Sequence, residues 1–581
     1  MPRDQRNTTA DPVVTEILRN AFIAVTEEMK TNLMRTAYNV IIYEALDFTT
    51  GLFTANGETV SIGLGLPMFI RGMAETVKAK LRHFGGNIHP GDILITNDAY
   101  TTGSHLNHVT LSLPIFDERE LVAFVCCMAH WLDIGGTLNR SVSTDIYSEG
   151  LQIPFLKYQS AGRVNRDLVD IIRMNVRIPS RAMGDLRAQV TAVKTGERRV
   201  KELLARYGRG AFLGAIAAIM DHSEAAARAR TRAIPDGTYE AESFMDDDGI
   251  EVGRKVPIHV KVTVEDDEMT VDLSNISPQV RGYFNSGVTT GYGCTQVAYK
   301  CLTSPTDYPV NDGAFRSLKS VVPAGRVVSA TRPAPMRKWM TYPMTVIDTV
   351  FKALAPAIPE RVIAGHHADL MIANFHGLDR MTRQFFIASM GPLGGGWGAK
   401  RDEDGVSATV CINDGDTHNS PNEQTESKFP LVVEHCRLVP DSGGAGRSRG
   451  GLGVETVVRA RSDIVFSTQI DRMQCKPWGL AGGGDAMGNA IGLRVDGKWS
   501  EDFANGKLHI DRLKSGDAIR LRSGGGGGYG PPFARPAAQV LQDVRQGYVS
   551  LAAARALYGV AIDPETLTLD AEATRQLRAE N

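Results

Sequence analysis

The chain has 581 residues, 43% hydrophobic and 22% charged, and its 64 Lys+Arg nearly balance 66 Asp+Glu. A soft prior of ~150 residues per domain predicts three or four domains, and the balanced charge excludes a global field that would draw nucleic acid or a membrane surface. Seven cysteines, odd in number, widely spaced and without a CxxC pair, exclude a disulfide framework and a thiolate zinc site and fit a reducing cytosol.

The start, MPRDQRNTTADP, has no apolar h-region. No apolar run reaches the ~18 residues that spanning a bilayer requires, so a cytoplasmic protein is expected. Asp11-Pro12 predicts a helix start, and apolar residues from Val14 to Met34 recur on one face until near Tyr38. The segment after it predicts two strands joined at Asn56-Gly57, with Asp47 near the start of the first. Residues 68 to 84 predict a helix, and Pro90-Gly91 precedes a strand at Ile93–Thr96. Two further strands are expected at Val109–Phe116 and Leu121–Met128.

From Asp167 to Arg232 the pattern is helical, rich in Arg, Ala and Leu, and this stretch is the expected subunit contact. Past the turn Ile234-Pro235-Asp236-Gly237 the period changes to two at Val256–Val264 and Met269–Leu273. Residues 285 to 303 and 344 to 377 predict helices. Residues 385 to 530 alternate in short runs between glycine-rich loops, and the tail from Ala537 is helical. The expected class is α+β and multi-domain, with mixed sheets, long helices and a β-rich C-terminal region. The expected units are 1–233 (α+β, carrying the site), 234–384 (mixed), 385–533 (Gly-rich β) and 534–581 (helical tail).

Chemistry concentrates in GDILITNDAYTTGSHLNHVTLSLPIF and AHWLDIGG, which hold Asp98, His105, His108, His130 and Asp133. Imidazoles and carboxylates gathered at strand ends are what a borderline or hard divalent cation needs. His366-His367 with Asp369 reads as a satisfied polar patch, and Cys126-Cys127 as inert buried thiols. The stretches Gly394–Gly398, Gly443–Gly453, Gly482–Gly484 and Gly524–Gly528 fit neither G-x-x-x-x-G-K-[ST] nor G-x-G-x-x-G between strand and helix. They read as tight turns and close backbone approaches, so no nucleotide site is expected here. Nothing interleaves basic and aromatic residues as a nucleic-acid surface would.

Ordered segments resemble the hydantoinase B/oxoprolinase family: EALDFTTGLFTANGE, GDILITNDAYTTGSHLNHVT, AHWLDIGG, DIYSEGLQIP, GGGWGAKRDEDG, SKFPLVVEHCRLVPDSGGAGRSRGGLG and GGGGGYGPPFARPAAQVLQDVRQGYVSLAAARALYGV. The resemblance implies an ATP-dependent cyclic-amide hydrolase acting on a hydantoin, oxoproline or lactam. A hydantoinase A-type partner, in an assembly of two A and two B subunits, would bind ATP and phosphorylate the substrate carbonyl. It implies a divalent metal, zinc or manganese, on Asp47, His105 and His130. Asp133 would be a further ligand or an orienting group, and His108 a candidate ligand. Where the family leads one to expect an aspartate two or three residues after His105, this chain has Asn107 and His108, which favours zinc-like over magnesium-like ions. Asp98 and Asp133 are expected to hold histidine tautomers, Glu149 is a candidate proton carrier, and Glu426 a stand-in for a family glutamate. Two alternatives share the resemblance: a subunit of an ATP-dependent ketone carboxylase, and a scaffold subunit without chemistry.

Overall fold

The structure, a computed structural model, describes residues 11–70, 72–138, 142–303, 310–415 and 417–579; the polar N-terminal flank lies outside them. It is an α+β arrangement of four sheets and several long helices.

The first sheet holds β1 (Phe48–Thr54), β2 (Thr59–Leu64), β3 (Ile93–Thr96), β4 (His108–Asp117), β5 (Glu120–His130), β6 (Leu156–Ser160) and β7 (Arg163–Val164). Its order is β2-β1-β5-β4-β3-β6-β7 and every pair is antiparallel. The Asn56-Gly57 turn joins β1 to β2, with Gly57 at φ 82°. β5 reads as an unbroken apolar run because both of its faces are covered. Ala123, Val125, Cys127 and Ala129 point into a core shared with the helices Pro12–Thr36 and Pro179–Thr231. Phe124, Cys126 and Met128 point the other way, into a core shared with the second sheet.

That second sheet has β8 (Gly237–Met245), β9 (Val256–Glu265), β10 (Glu268–Asp272) and β11 (Leu318–Val321), ordered β11-β10-β9-β8. Val256, Ile258, Val260, Val262 and Val264 alternate inward along β9 and pack with helices Val288–Thr303 and Thr341–Leu354. The sequence pattern changes near 234, yet one core runs across that point, from Phe53 and Leu66 to Val346 and Leu354.

Three helical expectations change. The stretch expected to be helical from 344 to 377 is a helix only over Thr341–Leu354. Pro356 and Pro359 withdraw backbone donors and push their preceding residues out of the α region, and Ala373–Leu378 is a strand. The stretch 167–232 divides into Arg166–Asn175 and Pro179–Thr231, the second kinked at Gly208 with φ 77°. Contrary to the expectation from apolar runs, Pro179–Thr231 holds an 18-residue window long and apolar enough to cross a membrane by length and composition. Here Phe212, Ala215, Ile216, Ile219 and Met220 bury its apolar face in the core with Phe22 and Met29.

The C-terminal sheets comprise Ala373–Leu378, Phe385–Met390, Ile464–Thr468 and His509–Leu513 in one, and Leu431–Leu438, Val454–Ala460, Ala490–Val495, Lys498–Ser500 and Ala518–Arg522 in the other. The glycine-rich stretches pack on one another. Gly396 N–H donates to Gly524 O (3.0 Å), Gly444 N–H to Gly526 O (2.8 Å), Gly526 N–H to Gly451 O (2.9 Å) and Gly528 N–H to Gly484 O (3.0 Å). A Cβ on Gly450 would overlap the Gly526 carbonyl, and one on Gly396 would overlap the Gly451 carbonyl. The tail helices Ala537–Arg545 and Leu551–Tyr558 close their own small core of Val540, Ala554, Tyr558 and Val560 against Ala445.

Candidate functional site

Sheet register assembles the histidines. β5 lies between β1 and β4. His108, the first residue of β4, faces His130, the last of β5. His130 N–H donates to Asp47 O, at 3.1 Å, just before β1. Three adjacent strand ends therefore present Asp47, His130 and His108 in a row. Leu46 sits in left-handed backbone (φ 55°) immediately before Asp47, a conformation that costs a branched residue of order 1–3 kcal/mol and clusters at functional sites.

His105 arrives on the loop after Gly103, which turns at φ 88°. Asn107 ties that loop to the end of β5: its carbonyl accepts from Trp131 N–H (2.8 Å) and its side-chain amide donates to Trp131 O (2.7 Å). The ring centroids of His105, His108 and His130 lie 4.5, 4.8 and 5.2 Å apart. Phe69 packs its edge on His108 at 4.9 Å and Trp339 stands 5.9 Å from the same ring. His108 Nε2 and Asp47 Oδ1 share a hydrogen bond of 2.8 Å, and His105 Nδ1 pairs with Arg337 O at 3.0 Å.

In this cluster three buried ring nitrogens have no partner among the described residues: His105 Nε2, His108 Nδ1 and His130 Nδ1. Burial and the neighbouring imidazoles hold His105 well below its usual pKa. Burial pulls His130 down to about 4 against the attraction of Asp47. Burial pushes the Asp47 carboxyl up, but His108 and His130 outweigh it and leave it below the usual range. At neutral pH the cluster thus pairs the neutral imidazoles of His105 and His130 with the Asp47 carboxylate, the protonation state that metal ligation needs.

Among the described residues no group of three or more His, Cys, Asp or Glu side chains is arranged to hold a metal ion; His108 Nε2 is hydrogen-bonded to Asp47. The donor set nevertheless fits a divalent ion. Imidazoles sharing a tetrahedral zinc at Zn–N of about 2.1 Å place their centroids about 5 Å apart, as these do.

The remaining sequence candidates are engaged by partners other than the histidines. Asp133 is spent on Arg177, accepting from its backbone N–H and from Nη1 at 2.8 Å, and from Gly135 N–H at 3.0 Å. It anchors the loop after β5. Asp98 pairs with Arg332 Nη2 at 2.9 Å and Thr101 Oγ1 at 2.6 Å, so the tautomer-holding role expected of it belongs instead to Arg337 O and Asp47. Glu149 is buried and accepts from Ser143 Oγ (2.5 Å), Met336 N–H (2.9 Å) and Arg337 N–H (3.0 Å). Burial raises its pKa, offset by Arg337 and those donors. Its geometry is that of a bracket fixing the 336–337 backbone, whose carbonyl in turn holds His105. Glu426 accepts from Val433 N–H at 2.9 Å and pins the helix Asn422–Lys428.

The cluster opens on a cavity of about 240 Å³, walled on one side by Asp47, His105 and His130 and on the other by Asn374, Ser467 and Gln469. Sequence reasoning missed three of its titratable side chains. Asp414 is pushed up to about 7 by burial and the Asp47 charge, against a hydrogen bond from Cys411. Asp369, grouped by sequence with a polar patch, lines the cavity and is pushed up to about 8 by burial. Lys338 is pulled down to about 7 by burial and by the adjacent Arg337. None belongs to a spaced motif; only the fold brings them to the histidines.

The hydantoinase B/oxoprolinase family model matches residues 11–532. The chain belongs to that family. It is 32% identical to the caprolactamase subunit beta of Pseudomonas jessenii, covering 98% of this chain and 99% of that one. The crystal structure of the ATP-dependent caprolactamase from the same organism superposes with a TM-score of 0.91 at 29% identity, over 98% of this chain and 100% of the other. An acetone carboxylase, solved nucleotide-free, shares the fold with a TM-score of 0.89 at 20% identity, over 98% and 83% of the two chains. The glycine stretches hydrogen-bond to each other's backbones.

Proposed function

We propose that this chain is the metal-binding B-type subunit of a cytoplasmic, ATP-dependent cyclic-amide hydrolase. An A-type partner binds ATP and phosphorylates the carbonyl oxygen of a hydantoin, oxoproline or lactam. Ring opening is completed in the cavity beside His105 and His130. The observation that carries this reading is the trio of partnerless imidazole nitrogens beside Asp47, at the edge of a cavity that Asp47, His105 and His130 line.

Asp47, His105, His108 and His130 would hold a zinc or manganese ion. Such an ion supplies Lewis acidity and a hydrolytic water of lowered pKa. Arg337 O keeps the His105 ring oriented, and Glu149 keeps Arg337 in place. Phe69 and Trp339 exclude water from the back of the His108 ring. Asp414, protonated near neutral pH, delivers a proton to the departing ring nitrogen, a task that suits an acid whose pKa lies close to the working pH.

The test uses the chain co-purified with its A-type partner, with light scattering expected to give two copies of each. ATP-dependent opening of cyclic amides is measured together with metal content by mass spectrometry. About one metal per chain and ATP-dependent release of the open-chain product are expected. Stable incorporation of labelled bicarbonate into a ketone, with no amide opened, would replace hydrolysis by carboxylation.

A further inference from the structure

Lys338 is the cation of this cavity that the fold leaves unused. Its neighbour Arg337 is fully engaged: one guanidinium nitrogen donates to Thr137 O, the other to Glu149 O at 3.1 Å, and its backbone is locked by Glu149. Lys338 lines the cavity with His105, His130 and Asp47. Among the described residues it has no hydrogen-bond acceptor and no carboxylate within ion-pair distance, whereas the two buried lysines are satisfied. Lys80 has Leu94 O, Thr110 O and Ser112 Oγ; Lys507 has Asp471 at 2.6 Å.

Holding an unpaired ammonium against an apolar wall is costly. The wall here is Trp339, Met340, Leu66 and Tyr283. Such a cost is sustained where a ligand supplies the counter-charge. Of the other titratable groups of the wall, Asp369 and Asp414 are held toward their neutral forms by burial, Asp47 is hydrogen-bonded to His108, Asp133 is paired with Arg177, and Glu149, which attracts Lys338 only through space, spends its oxygens on its own donors.

We propose that Lys338 is the phosphoryl-binding residue of the cavity, its Nζ–H groups donating to the phosphate oxygens of the carbonyl-phosphorylated substrate beside His105 and His130. A compact ammonium with three rotatable donors suits a tetrahedral oxyanion, where a guanidinium fork suits a planar carboxylate. The inference rests on the proposed reaction for the identity of its ligand. It adds what that reaction lacks, a group in this chain that recognises the activated form of the substrate over the unactivated ring.

The test is calorimetric titration of the full chain, stripped of metal by chelation, with inorganic phosphate and separately with acetate. Wild type, Lys338→Met and Lys338→Arg are compared, and thermal melting checks the fold. Wild type binds phosphate more tightly than acetate. Lys338→Met melts at or above the wild-type temperature and loses about 10- to 100-fold in phosphate affinity, the range expected for a charged hydrogen bond; Lys338→Arg keeps most of it. Equal phosphate affinity in wild type and Lys338→Met overturns the proposal, as does acetate binding without phosphate binding or no phosphate binding by wild type. The measurement needs neither partner nor ATP. If phosphate behaves as stated and the complex opens no cyclic amide, the anion site stands and the proposed reaction falls.

Discussion

Two histidine clusters in this chain look alike in sequence and differ in how their polar atoms are used. At His366 both ring nitrogens are engaged: Nδ1 with Asp348 at 2.7 Å, and Nε2 accepting from Ile412 N–H at 3.4 Å, while Arg472 Nη2 donates to Asp348 at 3.1 Å. All three side chains are essentially without solvent exposure. At His105, His108 and His130 each ring keeps one buried nitrogen without a partner among the described residues, and His105 and His130 line a cavity. Buried polar atoms are nearly always satisfied in folded proteins. The His366 ring follows that rule and clamps distant segments together, while the neighbouring His367 keeps its Nε2 without a partner among the described residues. The second cluster departs from it at three nitrogens in one place.

The sharpest way to break this comparison is to remove one ring from each cluster. His130→Ala should abolish ATP-dependent turnover of the complex, a loss beyond the ~100-fold typical of removing a group that only supports a ligand. It should also empty the chain of metal while leaving the melting temperature nearly unchanged. Asp348→Ala should do the reverse. It strands Arg472 and His366 without their counter-charge and should cost about 3–5 kcal/mol in chemical denaturation, with metal per chain unaltered. Next in size, Glu149→Gln removes an acceptor from the bracket behind His105. Activity and metal affinity should fall about 10- to 100-fold, and a wild-type pH profile for the residual activity would identify Glu149 as a positioning residue.

A further effect is expected on pH. Asp369 ionises near 3.8 when unfolded and near 8 when folded, because burial penalises its charged form. The folded state therefore binds more protons between those values. Stability is greatest at the acid end of this window and falls as pH rises toward 8, by at most about 1.4 kcal/mol per pH unit for one group. Asp369→Asn should flatten that slope in melts taken from pH 5 to 8. An unchanged slope would assign it to Asp414 instead.

Much of this was legible in the sequence where local pattern and tertiary context agree. The β4–β5 strands and the His/Asp signals at their ends were readable because apolar runs and turn residues set the register, and register alone aligns His108 with His130. Asp47 was reachable only through family resemblance, since β1 joins β5 from far upstream. Asp98 and Asp133 were misplaced because nearness in sequence says nothing of the arginines, Arg332 and Arg177, that claim them across long loops. Asp414 and Lys338 carry no local signal at all. Their importance arises from burial in a shared wall, a property of the whole fold.

The glycine stretches have a consequence for how the C-terminal half is made. Segments around 396, 444–451, 484 and 524–528 form plies of bare backbone, each hydrogen-bonded to another and with no room for a side chain between them. A laminate of this kind has no partial version. A ribosome must deliver residue 528 before the segment at 396 can close, so the region from 394 to 530 should fold late and as one unit. A chain that stops short of the last ply should leave the whole laminate open to proteolysis.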